Sequence, residues 1–172
     1  LKRRLRTEKI AVKDAKLRTF ITADSDRDDL VAHVYDVTYG VVKSTDNLVV
    51  IDDSIVRGTT LKRSIIRILD RLAPKKIIIV SSAPQIRFPD CYGIDMAKLQ
   101  DFIAFRAALS LHEKSGKKEC LLDEIFKDCL TENLKPLTEI ENKVKKIYQD
   151  FTNEELSAEI ASLLTDESIN AE

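Results

Sequence analysis

The chain has 172 residues, 44% apolar and 33% charged, which is enough to bury one hydrophobic core. Its 28 Lys and Arg nearly balance 29 Asp and Glu, and no run approaches the roughly 18–20 consecutive apolar residues that cross a bilayer. Composition therefore excludes a helical membrane protein and predicts a soluble, cytoplasmic one. The three cysteines, Cys91, Cys120 and Cys129, form no CxxC pair, so a disulfide scaffold is excluded and they read as reduced thiols.

Charge is unevenly placed. Residues 1–20 hold eight Lys and Arg against two acids, whereas residues 151–172 hold six acids and no Lys or Arg. A basic arm over residues 1–15 suggests nucleic acid or a membrane surface, but no aromatic side chain interleaves it before Phe20, so neither partner is expected. The opening at Leu1, inside a charged and helix-compatible stretch, reads as that of a fragment.

Leu17 to Thr22 is a short strand candidate, and the acid-rich Asp24 to Asp29 reads as a loop. Leu30 to Val42 is ambiguous, although its β-branched and aromatic residues suit a strand. Leu48 to Ile51 is a continuous apolar run of the kind found in strands buried on both faces. Leu61, Ile65, Ile68, Leu69 and Leu72 then recur at helical spacing, ended by Ala73 and Pro74, and a second apolar strand follows at Lys76 to Ser81. Strand, loop, helix and strand within about 35 residues predict a right-handed βαβ unit with parallel neighbouring strands, and hence an α/β fold. Met96 to Leu111 reads as a helix, broken by Ser115 and Gly116. Leu121, Ile125 and Leu130, then Ile140, Val144 and Ile147, predict further short helices separated near Pro136, and Thr152 or Asn153 caps a last one running toward Leu164.

The chemistry concentrates in Val49 to Thr60, VVIDDSIVRGTT. Two adjacent carboxylates, Asp52 and Asp53, stand at the carboxyl end of a buried strand, where open α/β sheets bind ligands, and buried acids are costly unless partnered. Hydroxyls or a metal would satisfy them. Behind them Ser54, Gly58, Thr59 and Thr60 offer hydroxyls and closely approachable amides before a helix, a setting that favours an anion such as phosphate. Vicinal hydroxyls one sugar ring from a phosphate describe a ribose 5-phosphate. The alternative is that Asp52 and Asp53 cap a turn and Thr59 or Thr60 caps the helix.

VVIDDSIVRGTT is similar to the phosphoribosyl pyrophosphate motif of type I phosphoribosyltransferases. With Arg18-Thr-Phe-Ile21 before it and Ser81-Ser-Ala-Pro-Gln-Ile-Arg-Phe-Pro-Asp-Cys-Tyr-Gly-Ile-Asp-Met96 after it, the chain resembles the amidophosphoribosyltransferases over roughly residues 16–108. The resemblance implies a mostly parallel sheet flanked by helices, a partial transferase core over residues 16–110 that lacks its first strands, and a helical extension over residues 111–172. It implies that Asp52 and Asp53 meet the ribose hydroxyls and Mg²⁺, that Ser54, Ile55, Val56, Arg57, Gly58, Thr59 and Thr60 hold the 5-phosphate, and that ammonia from a glutaminase domain, absent from this sequence, displaces pyrophosphate. Purine nucleotides enter as inhibitors, and exposed sheet edges point to a homo-oligomer.

The family resemblance also implies a mobile loop at Leu30 to Val42, and the sequence departs from that family in the segment expected to close over the ligand. Asp24, Asp26, Asp28 and Asp29 occupy it, leaving Arg27, His33 and Lys43 as its cations, and an acidic segment repels pyrophosphate. Cys91 is one residue out of register with the iron–sulfur ligands of some members, and Cys120 and Cys129 are nine apart, so no cluster is expected and Cys91 reads as a packing residue. Two further readings remain: a non-catalytic sensor of phosphoribosyl pyrophosphate or nucleotides, and a transferase acting on a purine base, with Phe88 and Tyr92 as stacking candidates.

Overall fold

The order of the chain is set by one parallel strand pair and the helix between its strands. In the computed structural model, residues 6–8, 10–13, 35–90, 96 and 98–171 are described. They divide into two compact units, one of residues 1–52, 59–82 and 165–172 and the other of residues 53–58 and 83–164. The predicted strand at Leu17 to Thr22, the acidic loop, Arg27, His33, Cys91 and Tyr92 lie outside the described residues.

In the first unit, β1 (Ala11–Lys13) pairs antiparallel with β2 (Tyr35–Val37), so the described end of the ambiguous Leu30 to Val42 segment contains a short strand followed by a turn. β3 (Asn47–Asp52) pairs in parallel with β4 (Lys76–Ser81), with Leu48 opposite Ile77 and Asp52 opposite Ser81. Between them a π-helical stretch, Leu61–Ile65, closed by the Ile66 amide on the Leu61 carbonyl, runs on into α1 (Ile66–Asp70). The helical spacing read from the sequence is the buried stripe of this segment, since Leu61, Ile68, Leu69 and Leu72 are all buried. Ala73 ends it in a left-handed conformation, φ 51°, and its amide donates to the Asp70 carbonyl at 2.8 Å. Parallel pairing follows because the reversal through α1 returns the chain to the same end of the sheet.

The core here is Leu48, Leu69 and Leu72, with Ile10, Val42, Val50, Ile65 and Ile77 packed against it. One expectation fails: Leu48 to Ile51 is not buried on both faces. Burial alternates along β3, and Val49 and Ile51 are 60% and 74% exposed, because the helical layer covers one face only. Residues 165–171 are tied to α1. The Asp70 carboxylate accepts the amides of Asn170 and Ala171 at 3.0 and 2.9 Å, and Arg67 donates to Asp166 at 3.1 Å.

The second unit is helical: α2 (Ile103–Lys114), α3 (Lys118–Glu132) and α4 (Asn153–Leu164). They pack around Ala104, Ala108, Ile125, Ile147, Tyr148 and Leu156. The helix predicted from Met96 starts later, because Leu99–Asp101 form a 3-10 turn and the buried Phe102 is extended, ψ 128°. Gly116, φ 70°, ends α2, and its amide donates to the Glu113 carbonyl at 2.9 Å. The stripe of Leu121, Ile125 and Leu130 forms the 15-residue α3, which ends before Pro136, but Ile140, Val144 and Ile147 do not form an α-helix: that connection holds 3-10 turns at Leu137–Glu139 and Lys143–Tyr148. Glu132 organises that connection: its buried carboxylate accepts the Glu141 amide at 3.0 Å and faces the ammonium groups of Lys135 and Lys143 at 2.9 and 3.1 Å. These contacts hold its carboxyl down to about 2.

Candidate functional site

The loop between β3 and the π-helical stretch is assembled from pieces held in different ways. Asp52 closes β3 in the first unit, half-buried, and its carbonyl accepts both the amide and the hydroxyl of Ser82, at 2.9 and 3.1 Å. The parallel register places Asp52 beside Ser81, so both strands end together at their carboxyl edge. Thr59 and Thr60 also lie in that unit and are exposed. Thr60 has helical backbone angles and its side chain makes no capping hydrogen bond, which removes it from the capping alternative read from the sequence.

Asp53 to Gly58 belong to the helical unit, which grips them along their length. The Asp53 carbonyl accepts the Ala83 amide at 2.9 Å, and its exposed carboxylate accepts the adjacent Ser54 amide at 2.7 Å. Ser54 and Ile55 are half-buried. The Val56 carbonyl accepts the first amide of α2, from Ile103, at 2.8 Å. The Arg57 carbonyl accepts from the Arg106 guanidinium at 2.7 Å, while the Arg57 guanidinium stands 3.6 Å from the Asp101 carboxylate. Gly58 is left-handed, φ 70°, and a Cβ there would lie 2.6 Å from Leu164 Cδ2 at the end of α4. Both conformation and space demand glycine.

The residues that hold the loop lie outside its sequence motif. Asp101, Arg106 and Leu164 carry no motif, and a fold was needed to bring them to the loop. The segment after β4 is likewise bound to the helical unit. Gln85 donates to the Asn153 carbonyl and the Ser157 hydroxyl at 2.9 and 2.8 Å, and Arg87 lies 5.2 Å from the centre of the Tyr148 ring and donates to Asn153. Tyr148 returns a hydroxyl bond to the Arg87 carbonyl at 2.8 Å, and burial pushes its phenol up to about 12. Phe88 meets the same ring edge-on at 5.6 Å, which engages one of the two stacking candidates in packing. Lys43 lies exposed in the turn before β3. Cys120 is an exposed thiol and Cys129 a half-buried one.

Among the described residues, no helix is long and apolar enough to cross a membrane, and no group of three or more His, Cys, Asp or Glu side chains is placed to hold a metal ion. What the structure defines is an α/β protein with a two-acid, glycine-bearing loop at the carboxyl end of a parallel strand. Part of the chain is similar to amidophosphoribosyltransferases. It is 48% identical over 58 residues to that of Escherichia coli (strain K12), 44% over 59 residues to that of Schizosaccharomyces pombe (strain 972 / ATCC 24843), and 33% over 91 residues to that of Lachancea kluyveri. These stretches cover 34%, 34% and 51% of this chain, but 11%, 11% and 18% of the relatives, so the chain matches less than a fifth of their length. No protein-family model matches the chain.

Proposed function

We propose that the chain carries the phosphoribosyl-binding loop of a type I phosphoribosyltransferase that transfers a phosphoribosyl group to ammonia, giving phosphoribosylamine at the entry to purine synthesis. The observation that carries this reading is the β3 loop itself, with Asp52 and Asp53 at the carboxyl end of a parallel strand and the loop leading into a helical segment. Similarity to the named transferases supports it.

In this reading Asp52 and Asp53 accept hydrogen bonds from the ribose hydroxyls, and the amides and hydroxyls of Ser54 to Thr60 receive the 5-phosphate. Backbone amides in a left-handed turn before a helix form a concavity suited to an anion. Two adjacent carboxylates also suit Mg²⁺, which takes one or two protein oxygens and completes its shell with water and substrate phosphate. When bound, Mg²⁺ would neutralise the leaving pyrophosphate. The protein's own task is to fix the sugar so that the reacting carbon faces ammonia, and to keep donors aimed where charge develops. Ammonia would come from a glutaminase domain, purine nucleotides would act as inhibitors, the setting would be cytoplasmic, and the bare apolar face of β3 and β4 supports a homo-oligomer.

The test is a calorimetric titration of the chain with phosphoribosyl pyrophosphate, with and without Mg²⁺, beside an Asp52→Asn/Asp53→Asn variant shown to be folded. Metal-dependent binding that the variant loses is expected. Equal binding by both proteins, or none by the folded parent, would contradict the reading.

A further inference from the structure

The loop is held by residues that lie outside the sequence motif. Three carbonyls of the loop, from Asp53, Val56 and Arg57, are bonded to groups of the helical unit: the amides of Ala83 and Ile103, and the Arg106 guanidinium. Peptide units are planar and, with no cis bond present among the described residues, trans, so each carbonyl points opposite to the amide of the next residue. The Arg57 carbonyl is held by Arg106, so the Gly58 amide of the same peptide unit points away from that guanidinium. A left-handed residue of this kind, here Gly58 at φ 70°, is one element of the backbone turns that bind anions.

The Arg106 bond is the one with added consequence. It is charge-assisted, at 2.7 Å, and a cation on a peptide oxygen polarises that peptide and makes its N–H a stronger donor. Arg106 is exposed and makes this bond from the second turn of α2, whose buried Ile103, Ala104, Ala107 and Ala108 fix the helix in place. Leu164, at the far end of α4, closes against Gly58 on the same loop.

We propose that Arg106 is a positioning residue for the phosphate loop: through the Arg57 carbonyl it sets the direction and donor strength of the Gly58 amide toward a bound phosphoryl group. This rests on the phosphoribosyl reading of the loop and extends it, because it gives the helical unit a role in ligand binding. Arg106 itself touches no substrate in this assignment.

The experiment is a calorimetric titration of the full chain with phosphoribosyl pyrophosphate at saturating Mg²⁺, for the parent, Arg106→Ala and Arg106→Lys, with thermal unfolding of each in the absence of ligand. Arg106→Ala is expected to weaken binding about tenfold, the equivalent of about 1.4 kcal/mol. Arg106→Lys, which keeps one charged donor, should recover part of the loss, and the unfolding temperatures should agree among the three. A purely structural role would instead lower the unfolding temperature of Arg106→Ala and leave the affinity of its folded fraction unchanged. If the parent binds and Arg106→Ala binds equally well, the positioning role is overturned while the phosphoribosyl reading stands. If the parent binds nothing, the reading itself fails and takes the positioning role with it.

Discussion

Gly58→Ala is the substitution whose cost is most fully specified by the structure. Two separate penalties meet at this position. The first is conformational, since φ is 70° and a left-handed backbone costs an L-residue about 1–2 kcal/mol. The second is steric. The new Cβ would lie 2.6 Å from Leu164 Cδ2, and Leu164 is only 5% exposed, so its side chain has little room to move. Overpacking of this kind costs roughly 1–3 kcal/mol. Together the loss in unfolding free energy should be about 2–5 kcal/mol, measurable by urea denaturation followed by circular dichroism. The two penalties separate in a double-mutant cycle. In a Leu164→Ala background the steric part disappears, so adding Gly58→Ala should cost only about 1–2 kcal/mol. A Gly58→Ala loss below about 0.5 kcal/mol, within the range of ordinary surface substitutions, would refute the described loop geometry. A large loss unchanged by Leu164→Ala would refute the contact.

Two further outcomes can be checked in the helical unit. Thr152 and Glu155 form a reciprocal capping box at the start of α4: the Thr152 hydroxyl accepts the Glu155 amide at 3.2 Å, and the Glu155 carboxylate accepts the Thr152 amide at 2.8 Å. Thr152→Ala should cost about 1 kcal/mol by urea denaturation, whereas Thr152→Ser should be nearly neutral. Glu132 gives a pH signature. Its carboxyl is depressed from an ordinary 4.5 to about 2, first by the Glu141 amide and then by Lys135 and Lys143, so the stability it contributes is present above pH 4.5 and lost as pH falls toward 2. Glu132→Gln should flatten the fall in unfolding temperature across that window relative to the parent, and parallel curves for the two proteins would contradict the assignment.

The parallel pair and its helix were legible because each depends on local pattern. The apolar runs at Leu48 to Ile51 and Lys76 to Ser81 and the stripe from Leu61 to Leu72 each mark one element, and short connections leave few ways to join them. The extent of burial was not legible. Val49 and Ile51 are as apolar as Leu48, and only the placement of a helical layer decides which of them is covered. Between Pro136 and Tyr148 the helix type was not legible for a related reason: Ile140, Val144 and Ile147 have helical spacing, but the connection is shaped by Glu132, whose bonds to residues 141 and 143 span positions that no periodicity links. For the loop, residue types that suit a phosphate could be read directly, whereas the grip of Asp101, Arg106 and Leu164 depends on tertiary packing some 44 to 106 positions away in sequence.

Phosphoribosyl binding at the β3 loop is tested most directly by amide proton–nitrogen correlation spectra of the isotope-labelled chain as phosphoribosyl pyrophosphate and Mg²⁺ are added. Saturable shifts concentrated at the amides of Ser54 to Thr60, largest at Gly58, are expected, with ribose 5-phosphate reproducing those at Gly58 and Thr59. Saturable binding that leaves residues 54–60 unmoved would contradict binding at the β3 loop.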